Sequence, residues 1–367
     1  MKIKDKENKL IGLEIVRFVS AFAILVWHYQ HFLFFEDRAI DFIKGLQPFF
    51  SHLNFFYDWG LYGVEIFWCV SGFIFFWKYK NLIIEKKISA KNFFLLRFSR
   101  LYPLHFITLL IAVLLQTIYF KTNGVFFVYQ FNDLYHFILQ IFFISNWGFE
   151  EGLSFNGVIW SISIEVLVYL FFFLTLKYII ISRSLVINFL IIIFSLLILF
   201  TEDFQNIFNY SVVVSCFCLF YAGGIAATLY DKFKDEKRIT FIFICLSFVT
   251  PLLINIFELY KIENWLTVFL LLYAPICLFL FAKIRIQNSY LAQMLNILGN
   301  LTYSSYLIHV PMQMIIVLVF SYMSIEIPFY NNYFFIFYLF FILITSRIVF
   351  CYYEKPIQNK IRKYFLN

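Results

Sequence analysis

The chain has 367 residues, of which 62% are hydrophobic, 23% aromatic and only 14% charged, with a formal net charge of +7. Soluble domains run near about 25% charged, so this composition and a mean hydropathy of +0.82 exclude a soluble globular protein and point to a polytopic membrane protein. No β-barrel alternation is visible, and topology accounts for the positive charge better than nucleic acid does.

The first apolar stretch, residues 10–35, is long enough to span a bilayer, which takes about 20 apolar residues. It nevertheless carries Arg17 and His28. An intramembrane Arg costs about 2.5–3.5 kcal/mol even on lenient insertion scales. The two residues are eleven apart, close to three turns, so they share one face about 16 Å apart along the axis. That face should look into protein or water, not lipid. Lysines precede the stretch but no small-residue cleavage site follows it, so it reads as a retained helix and not a signal peptide.

Further spans are expected at 60–77, 96–120, 160–181, 184–200, 212–230, 239–257, 264–282, 297–323 and 329–353. A weaker piece, 135–146, is too short to cross comfortably. With the lysine-rich N-terminus inside and 135–146 not crossing, only Arg38, Lys44, Lys121 and Lys261 fall in outer loops, while the inner loops hold most of the other basic residues. A crossing at 135–146 would invert every later loop and erase that asymmetry. The expected fold is therefore all-α and polytopic, with ten transmembrane helices, one short re-entrant or interfacial segment, and cytoplasmic N- and C-termini. It forms a single membrane-embedded domain over 1–367, without an internal repeat or an appended soluble domain. The six cysteines, at 69, 216, 218, 245, 277 and 351, show no metal-type spacing, so neither disulfides nor a metal site is expected.

Topology converts position into depth. His28, Glu65 and Glu165 fall in the outer layer, Ser71 and Gly72 near the middle of the second span, and Arg17 in the inner half. Arg97 and Arg100 lie at the cytoplasmic mouth of the third span, and His309 near mid-membrane in the ninth. Cations thus collect on one side, histidines and carboxylates on the other. Each residue also has a structural reading. A histidine in a bundle can be a packing residue, interfacial arginines anchor loops, and Ser71-Gly72 suits a close helix contact. Residues alone leave channel, transporter and membrane enzyme open.

The motifs resemble the acyltransferase 3 family of integral-membrane O-acyltransferases, which includes bacterial O-antigen and exopolysaccharide acetyltransferases. Arg17 and His28 reproduce its Arg-x10-His pattern. VEIFWCVSGF at 64–73 is similar to V-D/E-x-F-F-x-x-S-G-F, and RFSRLYP at 97–103 to Arg-x-x-Arg followed by Tyr-Pro. WSISIE at 160–165 is similar to W-S-L-x-x-E, and TYSSYLIH at 302–309 to S-Y-S-x-Y-L-x-H. The elements stand in family order. Where the family often has a second Glu, this chain has Val166, so only Glu165 can carry that role.

The resemblance implies transfer of an acyl group, acetyl first among candidates, from cytoplasmic acyl-CoA to a sugar hydroxyl of a surface polysaccharide or its lipid-linked precursor. Acyl-CoA is then a donor substrate and no cofactor is tightly bound. Arg97 and Arg100 suit CoA phosphates through charge-assisted contacts, and Arg17, Ser71 and Gly72 complete the expected donor site. An alcohol needs a base to take its proton as it attacks, a task that suits His28. Glu65 is the first choice for a carboxylate that orients His28, and Glu165 the second. Trp160, Tyr303 and His309 are candidates for acceptor contact or for structure. The expected partners are acyl-CoA, the sugar acceptor and membrane lipid, with no nucleic acid, and the expected location is the plasma (inner) membrane. A transporter or flippase of a lipid-linked glycan is the competing class.

Overall fold

A computed structural model describes residues 10–178, 185–200, 211–261 and 265–366. The amino-terminal lysines and Arg183, which enter the topology, lie outside them. The regular secondary structure of the described residues is helical apart from a short hairpin, β1 (Phe34–Phe35) with β2 (Arg38–Ala39). Its helices are α1 (Ile11–His28), α2 (Phe50–Trp59), α3 (Gly63–Ile84), α4 (Ala90–Asn123), α5 (Leu134–Ile141), α6 (Trp160–Tyr178) and α7 (Leu185–Phe200). They continue as α8 (Ser211–Phe233), α9 (Lys237–Ile256), α10 (Trp265–Ala282), α11 (Ser289–Tyr322), α12 (Asn332–Val349) and α13 (Lys355–Phe365). Among the described residues, nine helical runs are long and apolar enough to cross a membrane. The chain is a multi-pass membrane protein. The described part of α7 has 16 residues and falls at the fifth expected span.

Local chemistry sets the helix ends. The Ser89 side chain caps α4 by accepting from the Asn92 backbone N–H, and Gly124 closes it at φ +76°, a left-handed cap that glycine adopts without strain. Asn288 and Asn331 cap α11 and α12 in the same manner as Ser89. The weak piece at 135–146 contains α5, only 8 residues long. That is about 12 Å of helix, too short to cross about 30 Å of hydrocarbon. The surrounding segment 124–159 is pinned down by buried amides. Gln116 both accepts from the Phe127 N–H and donates to its carbonyl, each at 2.9 Å.

Pro311 lies inside α11 and lacks the N–H that would serve the Leu307 carbonyl. Asn156, fully buried, donates to that carbonyl at 2.9 Å. The segment 124–159 is thereby tied to α11 at its proline turn, two residues from His309.

The core is a bundle in which α1 packs on α3 and α11, α3 on α6 and α8, and α4 on α11 and α13. α9 buries no residue and stands at the periphery. The closest seam joins α3 and α8. A Cβ on Gly72 would collide with the Phe220 carbonyl, and one on Gly223 with the Cys69 carbonyl. Helix propensity favours Gly→Ala by about 1 kcal/mol, but overpacking costs about 1–3 kcal/mol, and here the obstacle is backbone. Gly72→Ala and Gly223→Ala should therefore lower the melting temperature in detergent. Gly45→Ala, where a Cβ meets open space, should not. Unchanged melting of both seam variants would contradict this packing.

Candidate active site

A cavity of about 860 Å³ opens among α1, α3, α4, α6, α11 and α13, within the range of small-molecule sites. Among the described residues, six cations line it: Arg17, Lys78, Arg97, Arg100, Lys355 and Arg362. Glu14 and Glu165 are the carboxylates among the described lining residues, so positive charge dominates that wall.

Each sequence-predicted residue has a definite place. Arg17 donates to Glu14 at 2.9 Å and to Thr302 Oγ1 at 2.9 Å, which fixes its guanidinium between α1 and α11. Arg97 donates to the Tyr79 hydroxyl at 2.5 Å and lies over the Phe75 and Tyr79 rings, about 5 Å from each centroid. These are cation–π contacts. Arg100 is ion-paired with Glu354 and sits over the Tyr303 ring. Glu165 is hydrogen-bonded by Ser71 and Tyr169, and Ser71 Oγ and Tyr169 OH lie 3.0 Å apart. Tyr303 lines the cavity and donates to the Leu101 carbonyl. Trp160 packs edge-on against Trp68, a wall residue, with centroids 5.7 Å apart.

Of the sequence-predicted residues, Gly72, Glu65, Trp160, His28 and His309 do not line the cavity. Gly72 faces the α8 backbone, next to Ser71 in sequence but about 100° away around the helix. Glu65 accepts from Thr267 on α10 at 3.3 Å, and its second oxygen is buried without a hydrogen-bond partner among the described residues. Its carboxylate therefore does not orient His28, contrary to the first choice made from depth. Glu165 is bonded within the cavity and not to a histidine, so it does not fill that role either.

The histidines form their own cluster. The His28 ring centroid lies 4.8 Å from that of His309 and 4.8 Å from that of His31, and all three residues are at most 4% exposed. His28 Nδ1 lies 2.9 Å from the Ile24 carbonyl and His309 Nδ1 3.2 Å from the Ser305 carbonyl. A carbonyl only accepts, so Nδ1 carries a proton in both rings, and in the neutral imidazole Nε2 then keeps its lone pair. His309 Nε2 makes no hydrogen bond among the described residues. Backbone carbonyls do the orienting that a carboxylate was expected to do. Gln313 supports the cluster from α11, donating to the His28 carbonyl at 2.8 Å.

One ring separates cavity and cluster. Tyr306 lines the cavity, and its centroid is 6.0 Å from His309. Its hydroxyl is held by Ser161 Oγ at 2.7 Å and the Val158 carbonyl at 2.8 Å. The arrangement can hold an anionic ligand along one wall and offer unprotonated imidazole nitrogens beyond its far end.

Sequence reasoning missed His31, Tyr306, Glu354 and the α13 face. His31 stands three residues after His28, a legible i,i+3 signal. Glu354 ends a π-helical turn, Phe350–Glu354, a distortion frequent at functional sites. No periodicity marks it.

Among the described residues, no group of His, Cys, Asp and Glu could hold a metal ion. The model of the acyltransferase 3 family, described as an acyltransferase domain, matches residues 10–352. No curated protein and no solved structure matches the chain.

Proposed function

The chain belongs to the acyltransferase 3 family, and on that premise we propose that it moves an acyl group, acetyl first among candidates, from cytoplasmic acyl-CoA to a hydroxyl of a cell-surface glycan or its lipid-linked precursor, in the plasma (inner) membrane. The observation that carries this reading is the polarity of the site. A cavity lined by six cations ends one tyrosine ring from three clustered histidines. Phosphates suit the arginine-rich wall, where charge-assisted contacts are about twice as strong as neutral ones. The acyl thioester then points toward the histidines.

In the proposed reaction His28 Nε2 takes the proton of the acceptor hydroxyl as its oxygen attacks the thioester carbonyl. The C–O bond forms, the C–S bond breaks, and the departing CoA thiolate recovers the proton from the imidazolium. The Ile24 carbonyl holds the Nδ1 proton in place throughout, so the ring presents one nitrogen to the reaction. Acyl-CoA is a substrate here, and no tightly bound cofactor takes part.

Membranes containing the protein, incubated with acetyl-CoA labelled in the acetyl group and with the source's surface glycan, should place label on the glycan. Mass spectrometry of the glycan with and without the protein then names acyl group and acceptor. Glycan translocation without label would replace this reading with that of a flippase.

A further inference from the structure

The arginines expected to meet the donor phosphates stand on α1 and α4, each held by neighbouring side chains. Arg100 is paired with Glu354, and Arg97 is held by Tyr79 and two rings. Arg17 is engaged by Glu14 and Thr302. A second basic surface enters the same cavity from α13. Lys355, Gln358, Asn359 and Arg362 are spaced i, i+3, i+4 and i+7, which places them on one helix face, and all four line the cavity. Ser99 Oγ accepts from Arg362 Nε at 3.1 Å, which orients the guanidinium across the seam between α13 and α4. Among the described residues the carboxylates of the cavity wall stand on α1 and α6, and the α13 face itself brings two cations and two carboxamides.

We propose that this face of α13 recognises the 3′-phosphoadenosine end of the donor, so that the protein distinguishes CoA thioesters from their 3′-dephospho forms. The inference rests on the acyl-CoA reading above. A phosphomonoester is dianionic or nearly so near neutral pH and is matched by a guanidinium fork beside an ammonium. A carboxamide offers a donor and an acceptor on one plane, the pattern that pairs with the adenine edge. Arg97 and Arg100 then serve the rest of the wall, while α13 reads the feature that separates CoA from its precursor.

The test is calorimetric binding of CoA and of 3′-dephospho-CoA to the full chain in detergent. Wild type is compared with Lys355→Ala/Arg362→Gln and with Lys355→Ala alone. Wild type should bind CoA about tenfold or more tightly than dephospho-CoA. In the double variant that ratio should fall toward one while affinity for dephospho-CoA stays the same. Equal affinity of wild type for the two ligands would overturn the proposal. So would an unchanged ratio in the variants, or equal weakening of both ligands, which is what a merely structural role for α13 predicts. Should the double variant fail to elute as a folded species, the ratio in Lys355→Ala decides, with a fall expected and an unchanged ratio refuting. A wild type that binds neither ligand removes the acyl-CoA reading itself, and this inference with it.

Discussion

Replacing His28 by alanine should slow acyl transfer by about 10²- to 10⁴-fold, the usual contribution of a positioned general base, while the protein inserts and binds acyl-CoA as before. His28→Gln makes the sharper comparison. Its carboxamide can donate to the Ile24 carbonyl that now holds Nδ1, so packing and orientation are largely kept. It cannot take a proton. A purely structural histidine would be rescued by glutamine, whereas a base would not. Single-turnover transfer from labelled acetyl-CoA, alongside CoA binding to the same preparations, separates the two. Near-normal transfer by either variant would remove His28 from the chemistry and turn attention to His309, whose Nε2 lacks a partner among the described residues.

What could be read before the structure, and what could not, follows from helix geometry. Spacing along a helix axis was legible because rise per residue is constant. Arg17 and His28 both meet α11, through Thr302 and His309, as their shared face required. Rotation about each helix axis was not. Glu65 and Ser71 lie six residues apart, a separation of about 120° around the helix at about 100° per residue. Ser71 therefore reaches the cavity while Glu65 meets α10. Nothing in the pattern of a helix apolar on every side says which face meets which neighbour. Gly72 was legible as a glycine of close approach, but its partner, the Phe220 backbone, is a tertiary fact. Glu354 was hidden for another reason. A π-turn changes the register of everything after it, so a helix read at a steady 3.6 residues per turn misplaces both that carboxylate and the face of α13.

That carboxylate makes the stability of the site asymmetric. The side chain of Glu354 is 2% exposed and that of its partner Arg100 is 21% exposed, because Arg100 borders the cavity. Removing the arginine by Arg100→Leu leaves a buried carboxylate with Ser304 Oγ as its remaining hydrogen-bond donor among the described residues. An uncompensated buried charge of this kind costs about 3–5 kcal/mol. Glu354→Gln keeps an acceptor for Ser304, and it leaves the guanidinium beside cavity water. Its cost should be nearer the loss of one charged hydrogen bond, about 1.5–3 kcal/mol. Replacing both by leucine removes the two charges together, a change often close to neutral in other buried pairs, so the double variant should be more stable than Arg100→Leu alone. Melting curves in one detergent give the order, and Arg100→Leu proving no worse than Glu354→Gln would refute the account. Acyl-CoA binding to the stable double variant then carries separate information. If stability returns while donor binding does not, Arg100 serves the ligand as well as the fold; if both return, its charge is needed only to neutralise Glu354.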